Sequence, residues 1–152
     1  MTSDTPLTDA WQRVRATVSE RASHRRDAGH TALEMYADHG AVIGDADQSV
    51  TFSFTVPDSA ATELDGQILA QASYRTQIDY ADVAGNRLYI LESRDGDNGV
   101  TVFVAGGISH QSLSDAVGAS EQAQTILRTV DGSTALKLRH AQLAPFLVGL
   151  SD

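Results

Sequence analysis

Apolar residues recur at helical spacing in two stretches of the chain. From 11 to 22 they fall every three or four positions, which predicts an amphipathic helix that begins near Thr5 and ends before Gly29. The same spacing over 61–72 predicts a second helix, for which Asp58 or the serine after it supplies the N-cap. Each stripe occupies one helix face, so we expect that face to pack on the rest of the domain.

Two other segments alternate apolar and polar residues, as strands do. The alternation over 33–37 predicts a strand that ends near His39-Gly40. A second alternating segment over 50–56 predicts another strand, and Pro57 stops it. Successive side chains of a strand point to opposite faces, so each strand should turn one apolar face inward.

Turn residues divide much of the remaining chain into hairpins. Two turn segments that contain Gly and Asn, 84–86 and 95–99, separate three consecutive predicted strands. These strands should therefore pair antiparallel. The three strands are 74–83, 87–94 and 99–105. Asp131-Gly132 between two alternating segments is typical of a two-stranded hairpin, with strands at 126–130 and 134–140.

Two shorter helices complete the predicted elements. Ser112 with Asp115 resembles a capping box for a short helix, and 143–150 favours a short apolar helix with Pro145 in its first turn. The chain then forms a single α+β domain over 1–152, in which 1–5 is a flexible tail. We expect a mostly antiparallel sheet of about five to seven strands with three or four helices packed against it.

Charge is the bulk property that adds most to this picture. The net charge at pH 7 is −9, from 15 Asp and 5 Glu against 10 Arg and a single lysine, Lys137. A surface of short carboxylates with almost no lysine suits molar salt, where the screening length is about 3 Å and self-repulsion is weak. We therefore expect a halophilic protein; the alternative is a high-GC genome that favours Arg, Asp and Ala codons.

Cysteine content and hydropathy exclude several classes of protein. The chain has no cysteine, which excludes disulfides, thiolate nucleophiles and Cys-based metal sites. No stretch approaches the ~18 continuous apolar residues of a membrane span, and the amino end lacks the apolar run of a signal peptide. We expect a soluble, cytoplasmic protein with no membrane partner.

Four segments of the chain form a recognisable set. They are Ala10-Trp11 in the first helix, Val56-Pro57-Asp58, the strands from Tyr74 to Ala105, and the final hairpin followed by Pro145-Phe146. Together they resemble a small haloarchaeal family with a domain of unknown function. The resemblance implies an archaeal, halophilic, cytoplasmic origin and a compact α+β fold, and it implies no activity. The chain departs from the family pattern at Gly106-Gly107, where bulkier strand residues are expected.

The segment from Val102 to His110 is the best candidate for a small-molecule site. A strand that ends in two glycines and leads towards a helix can expose several backbone N–H groups, which attract anions. The candidate anion-binding turn comprises Gly106, Gly107, Ser109 and His110. The alternative is a tight exit turn without a ligand, because no Walker or dinucleotide spacing follows.

The other polar residues predict neither a catalytic nor a metal centre. Ser109, His110 and Asp115 have the residue types of a hydrolytic triad, but adjacent residues of a chain usually point apart. No two of the five histidines lie four residues apart, which is the spacing that places two imidazoles on one helix face. We assign no catalytic residue, no metal ligand and no cofactor.

Arginine gathers in the first predicted helix. Residues 11–30 contain five arginines against one Glu and one Asp, although the whole chain is acidic. The candidate partner patch comprises Arg15, Arg21, Arg25 and Arg26. These side chains could pair with an acidic partner, with phosphates or with the carboxylates of the chain itself. Nucleic acid is the weakest of these partners, because the overall charge repels it.

These observations lead to two hypotheses for function. The first is a non-enzymatic protein-interaction module, whose partner is either another protein or further copies of the same chain in a homo-oligomer. The alternative is a small ligand-binding protein or enzyme that uses the Gly106–His110 turn as an anion site. The sequence leaves enzymatic activity open.

Overall fold

The computed structural model describes residues 5–37, 39–43, 50–59, 75–95, 99–116, 123–132, 134–140 and 144–148. Its elements with described bounds are two α-helices, eight β-strands and one 3₁₀ turn. In chain order they are α1 (Thr5–Asp27), β1 (Thr31–Tyr36), β2 (His39–Ile43), β3 (Val50–Thr55), β4 (Arg75–Val83), β5 (Asn86–Asp95), β6 (Val100–Ser109), α2 (His110–Ala116), β7 (Ala123–Arg128), β8 (Thr134–His140) and the 3₁₀ turn (Ala144–Phe146).

The strands form two four-stranded mixed sheets. Sheet A has the order β1-β6-β5-β4, and sheet B has the order β2-β3-β7-β8. In sheet A, β1 runs parallel to β6, while β4, β5 and β6 are antiparallel neighbours. In sheet B, β3 runs parallel to β7, and the other two pairs are antiparallel. Each sheet therefore combines hairpins with one parallel pair that joins distant parts of the chain.

Helix α1 covers the outer face of sheet A. Its apolar stripe includes Val18 and Ala22, which are fully buried. They pack in one cluster with alternate residues of the sheet, among them Phe103 and Ala105 of β6. Burial of this helix face removes apolar surface from water and holds α1 to the sheet.

The inner face of sheet A packs against sheet B. The residues between the sheets alternate with those under α1, so β6 supplies Val102 and Val104 to this second cluster. Aromatic rings fill one part of it: Phe52 stacks on Phe146 of the 3₁₀ turn with ring centroids 4.1 Å apart. Among the described residues the result is three layers: α1, sheet A and sheet B.

Several sequence predictions are confirmed. Helix α1 has the predicted extent, and β4, β5 and β6 pair antiparallel in series. The predicted hairpin around Asp131-Gly132 joins β7 to β8, with Gly132 at a φ of +89°. Within the described ranges, neither helix has the length and apolar character that a membrane crossing requires.

The predicted fold class is wrong. A single, mostly antiparallel sheet of five to seven strands with three or four helices was expected, whereas the chain is mostly β, with eight strands in two mixed sheets and two helices of described extent. One cause is the predicted strand that ended near His39-Gly40. The chain leaves sheet A after Tyr36 and enters sheet B at His39, so this segment contributes one strand to each sheet.

Two predicted helices differ in their outcome. The segment expected to be helical over 143–150 forms a single 3₁₀ turn in its described part. The helix expected over 61–72 lies outside the described residues, although Asp58 and Ser59 just before it are helical.

Candidate functional site

A cleft of about 530 Å³ opens between the first turns of α1, strand β2 and the paired ends of β5 and β6. We call it the α1 cleft. The described residues that line it are mostly apolar or small, with three polar side chains. They are Leu7, Trp11, Ala37, Gly40, Ala41, Val42, Asn86, Leu88, Gly107, Ser109 and Ser112.

The cleft forms where β1 and β6 part. Pairing of these strands ends at Tyr36 and Ala105, but β6 continues to Ser109 beside β5. Strand β2 passes next to this last part of β6, and a Cβ built on Gly40 would lie 2.5 Å from the carbonyl oxygen of Gly107. Only glycine allows the two backbones to approach this closely.

Gly107 has a similar role at the floor of the cleft. A Cβ at this position would lie 2.9 Å from Cδ2 of Leu88 and 3.3 Å from the Trp11 ring. The missing side chain therefore lets Trp11 lie directly over β6. The opposite face of the strand is equally crowded, because a Cβ on Gly106 would overlap the ring of Phe54.

The polar side of the cleft contains the start of α2. Ser109 is the N-cap of this helix: its Oγ accepts the backbone N–H of Ser112 at 3.2 Å and donates to Oγ of Ser112 at 3.0 Å. The helix is thus capped by Ser109, three residues before the Ser112 at which a capping box was expected. Asn86, at the start of β5, donates from Nδ2 to the carbonyl of Ala84 at 3.1 Å.

An ion pair between a buried arginine and a partly exposed aspartate lies on the inner face of sheet A, and its arginine directly follows Asn86 of the cleft in the sequence. Nε and Nη2 of Arg87 donate to the two oxygens of Asp82 at 2.8 and 2.9 Å. Arg87 is 1% exposed, and its guanidinium lies 3.9 Å from the ring centroid of Tyr80. Hydrogen bonds from Arg87, and then from His110, hold the pKa of Asp82 below its usual value, against the effect of desolvation.

His110 connects this ion pair to the polar side of the cleft. Its Nε2 lies 2.9 Å from Oδ1 of Asp82, and its backbone N–H donates to the carbonyl of Gly85 at 2.9 Å. The first residue of α2 is therefore fixed at two points to the β4–β5 hairpin. These bonds hold Ser109 and Ser112 in place beside Asn86.

The structure separates the residues of the candidate anion-binding turn. Gly106 and Gly107 are not in a turn, because both belong to β6 and are paired in register with β5. Gly107 and Ser109 line the cleft, Gly106 packs under Phe54, and His110 contacts Asp82. Anion binding by these four residues stays a prediction.

Three arginines of the candidate partner patch form ion pairs with sheet A. Arg21 lies 2.7 Å from Asp79, Arg25 lies 2.6 Å from Glu92, and Arg26 lies 2.9 Å from Glu34, measured between nitrogen and carboxylate oxygen.

The fourth arginine makes a different contact. The guanidinium carbon of Arg15 lies 4.7 Å from the ring centroid of Tyr36. Use of the four arginines by a partner stays a prediction.

The structure shows no bond between the serine and the histidine of the candidate triad, and it places one further histidine between the sheets. Oγ of Ser109 bonds to Ser112 and not to His110. His140 lies between the sheets, where its Nε2 is 2.7 Å from Oγ1 of Thr125 and burial lowers its pKa to about 4. In the part of the chain that the structure describes, no three residues of the kinds that ligate metals come together.

One family model matches the chain over residues 2–148, and its description is a family of unknown function, DUF7529. The chain belongs to the DUF7529 family. The DUF7529 match includes every residue that lines the α1 cleft and also the Asp82–Arg87 pair. No curated protein and no solved structure matches the chain. The predicted membership of an uncharacterised family is confirmed, and the haloarchaeal origin of this DUF7529 domain stays a prediction.

Proposed function

We propose that this domain binds a small, uncharged molecule in the α1 cleft and acts as a binding protein. The observation that carries the proposal is the lining of the cleft, which combines apolar and small side chains, polar backbone and three polar side chains. Binding sites for small molecules typically have volumes of roughly 300–1,000 Å³ and this type of lining. The volume of about 530 Å³ lies within that range.

The absence of ionisable side chains supports an uncharged ligand. None of the described residues that line the cleft carries a titratable group. An ion that entered it would lose hydration without gaining a counter-charge, which is strongly unfavourable. The same composition supports binding without catalysis, because general acid–base and nucleophilic steps need such groups at the reacting atoms.

Trp11 offers a direct measurement of binding. It is the single tryptophan of the chain and it lines the cleft, so tryptophan emission reports on this site alone. We expect benzyl alcohol to shift the emission to shorter wavelength and to raise the melting temperature. A fragment of this size should bind with a Kd on the order of 1 mM.

Two variants test whether the effect belongs to the cleft. Ala41→Leu adds three carbons to the cleft wall and should abolish the response. Ala28→Leu adds the same carbons just beyond the far end of α1 and should leave it unchanged. Loss of the response in both variants, or no response in the parent protein, would contradict the proposal. Inorganic phosphate should have no effect; a phosphate response that His110→Ala removes would favour the anion site instead.

A protein-interaction module is the second candidate. The observation that favours it is the edge of sheet A, where the nine residues of β4 pair with β5 on one side and are largely exposed. Such an edge can accept a strand from a second copy. Sedimentation equilibrium in molar KCl tests this candidate, and a monomer at every concentration would contradict self-association.

A further inference from the structure

The walls of the α1 cleft favour a flat ligand. Ala37, Gly40, Ala41 and Gly107 contribute at most a methyl group each, so much of this wall is peptide backbone. The Trp11 ring lies against the same wall, over Gly107. Flat surfaces of peptide and indole are best covered by a planar, conjugated group, which gains stacking contacts in addition to burial.

The hydroxyl of Ser112 supplies a hydrogen-bond donor. Oγ of Ser112 acts as an acceptor for Ser109 in the cap of α2. Oγ of Ser109 also accepts the backbone N–H of Ser112, so its own proton is the one that joins the two hydroxyls. The proton of the Ser112 hydroxyl is therefore left to donate to another group, and this side chain lines the cleft.

The amide of Asn86 supplies the matching acceptor. Its Nδ2 donates to the carbonyl of Ala84, which fixes the orientation of the amide at the start of β5. Its Oδ1 is a carbonyl oxygen with two lone pairs and can only accept. The polar part of the cleft thus offers a donor from Ser112 and an acceptor from Asn86, whose second Nδ2 hydrogen is a further donor.

Building on the proposed function, we propose that the ligand of the α1 cleft is a planar, uncharged amide. An amide offers a carbonyl oxygen to the Ser112 hydroxyl and an N–H to Oδ1 of Asn86. A carboxylate has no donor for Asn86 and brings a charge, and a hydrocarbon leaves both polar groups without partners. A ligand that covers these partly exposed polar groups without pairing with them loses their hydrogen bonds to water, which disfavours both alternatives.

The nearest charged groups do not change this preference. Arg87 follows Asn86 in β5, but it lies on the inner face of the sheet and forms two bonds with Asp82. His110 follows Ser109 and contacts the same carboxylate. Both side chains bond to Asp82, and neither lines the cleft to attract an anion into it.

Three monosubstituted benzenes test the ligand class: benzamide, benzoate of the same size, and the smaller hydrocarbon toluene. Their Kd values are measured from Trp11 emission, with backbone amide chemical shifts as a second readout. We expect benzamide to bind about tenfold more tightly than toluene or benzoate. Ser112→Ala should reduce the preference for benzamide over toluene by about fivefold, because it removes the donor. Ser112→Ala keeps the backbone N–H that caps α2, so the helix should remain folded.

A matched control and distinct outcomes make the test decisive. Ser114→Ala changes an exposed serine of the same helix and should leave the preference unaltered. Equal binding of toluene and benzamide, tighter binding of benzoate, or an unchanged preference in Ser112→Ala would each overturn the amide class. In those cases binding in the cleft itself would still stand. Failure of all three probes to bind would overturn the proposed function together with the inference.

Discussion

Arg87 places a positive charge in the interior with one carboxylate to compensate it. Asp82→Ala removes this carboxylate, whose side chain is 39% exposed, and should lower the free energy of unfolding by about 2 kcal/mol, because the buried guanidinium of Arg87 then lacks a counter-charge. Urea titration measures the change. Replacing the guanidinium as well, in Asp82→Ala with Arg87→Met, should recover part of the loss.

Asp79 provides the matched control for that experiment. It is also an aspartate of β4 in contact with an arginine, but its side chain and that of Arg21 are 41% and 35% exposed. Asp79→Ala should therefore change the free energy of unfolding by about 0.5 kcal/mol or less. Equal losses in the two variants would show that burial of Arg87 does not determine the strength of its pair.

His140 makes stability depend on pH. Burial lowers the pKa of its imidazole from the usual 6.5 to about 4 in the folded chain. Between these values the unfolded chain binds the proton and the folded chain does not, so stability should fall as the pH drops from about 6.5 to about 4. The loss is on the order of 3 kcal/mol.

Unfolding of variants at several pH values checks this assignment. His140→Gln removes the titrating group, so the free energy of unfolding should depend much less on pH between 6.5 and 4. The lowered pKa of Asp82 leaves a smaller loss of the same sign at more acidic pH, because that carboxylate stabilises the fold only when ionised. His24→Gln, at an exposed position of α1, should keep the full pH dependence; a weaker dependence there would argue against His140 as the origin.

At the level of elements, the contact between β2 and β6 depends on Gly40. Gly40→Ala places a methyl group 2.5 Å from the carbonyl of Gly107, so one strand must move. We expect a loss of about 2 kcal/mol or more in the free energy of unfolding, together with a weaker response of Trp11 to benzyl alcohol. Gly29→Asn is the comparison, because Gly29 has a positive φ that Asn tolerates and no atom within 4 Å of a Cβ. A smaller loss at Gly40 than at Gly29 would contradict this account.

The same contact explains why the end of β6 was predicted incorrectly. Paired glycines after an apolar strand are typical of an exit turn, so the predicted strand stopped at Ala105. Here Gly106 and Gly107 remain in the strand, because Phe54 on one face and Trp11 on the other leave no room for side chains. The positions of Phe54 and Trp11 depend on tertiary packing, which local patterns do not contain.

The Asp82–Arg87 pair, by contrast, was accessible from the sequence. Ala84-Gly85 forms a two-residue turn, so residues at equal distances on either side of it face each other. Asp82 and Arg87 occupy such positions and carry opposite charges, which predicts a cross-strand pair. What the sequence does not contain is the burial of Arg87, because it results from the packing of sheet B and the 3₁₀ turn on this face.

For the molecule as a whole, local periodicity predicted α1 and most strands but not their arrangement. Hairpins such as β4–β5 and β7–β8 follow from turn residues next to them. The parallel pairs β1–β6 and β3–β7 join segments separated by more than sixty residues, and no local signal specifies such partners. The α1 cleft lies where the β1–β6 pair ends, so local sequence patterns could not predict its location either.

Net charge determines how the whole domain should respond to salt. The chain carries a net charge of −9, and molar salt screens the resulting repulsion. The ion pairs of α1 weaken as well, but the exposed ones among them, such as Arg21–Asp79, contribute only about 0–1 kcal/mol each. We expect a higher free energy of unfolding in 2 M KCl than in 0.1 M KCl, measured by urea titration. Higher stability at low salt would contradict the predicted halophilic character.

Phe146 ties the order of synthesis to the completion of folding. Its ring stacks on Phe52, and its carbonyl accepts hydrogen bonds from Arg87 and Tyr89. Phe52, Arg87 and Tyr89 leave the ribosome long before Phe146, whereas β8 leaves it only shortly before, so a growing chain lacks both the last strand of sheet B and this ring. Nascent chains of this protein should therefore stay loosely packed, and open to chaperones, until residue 146 has emerged from the ribosome.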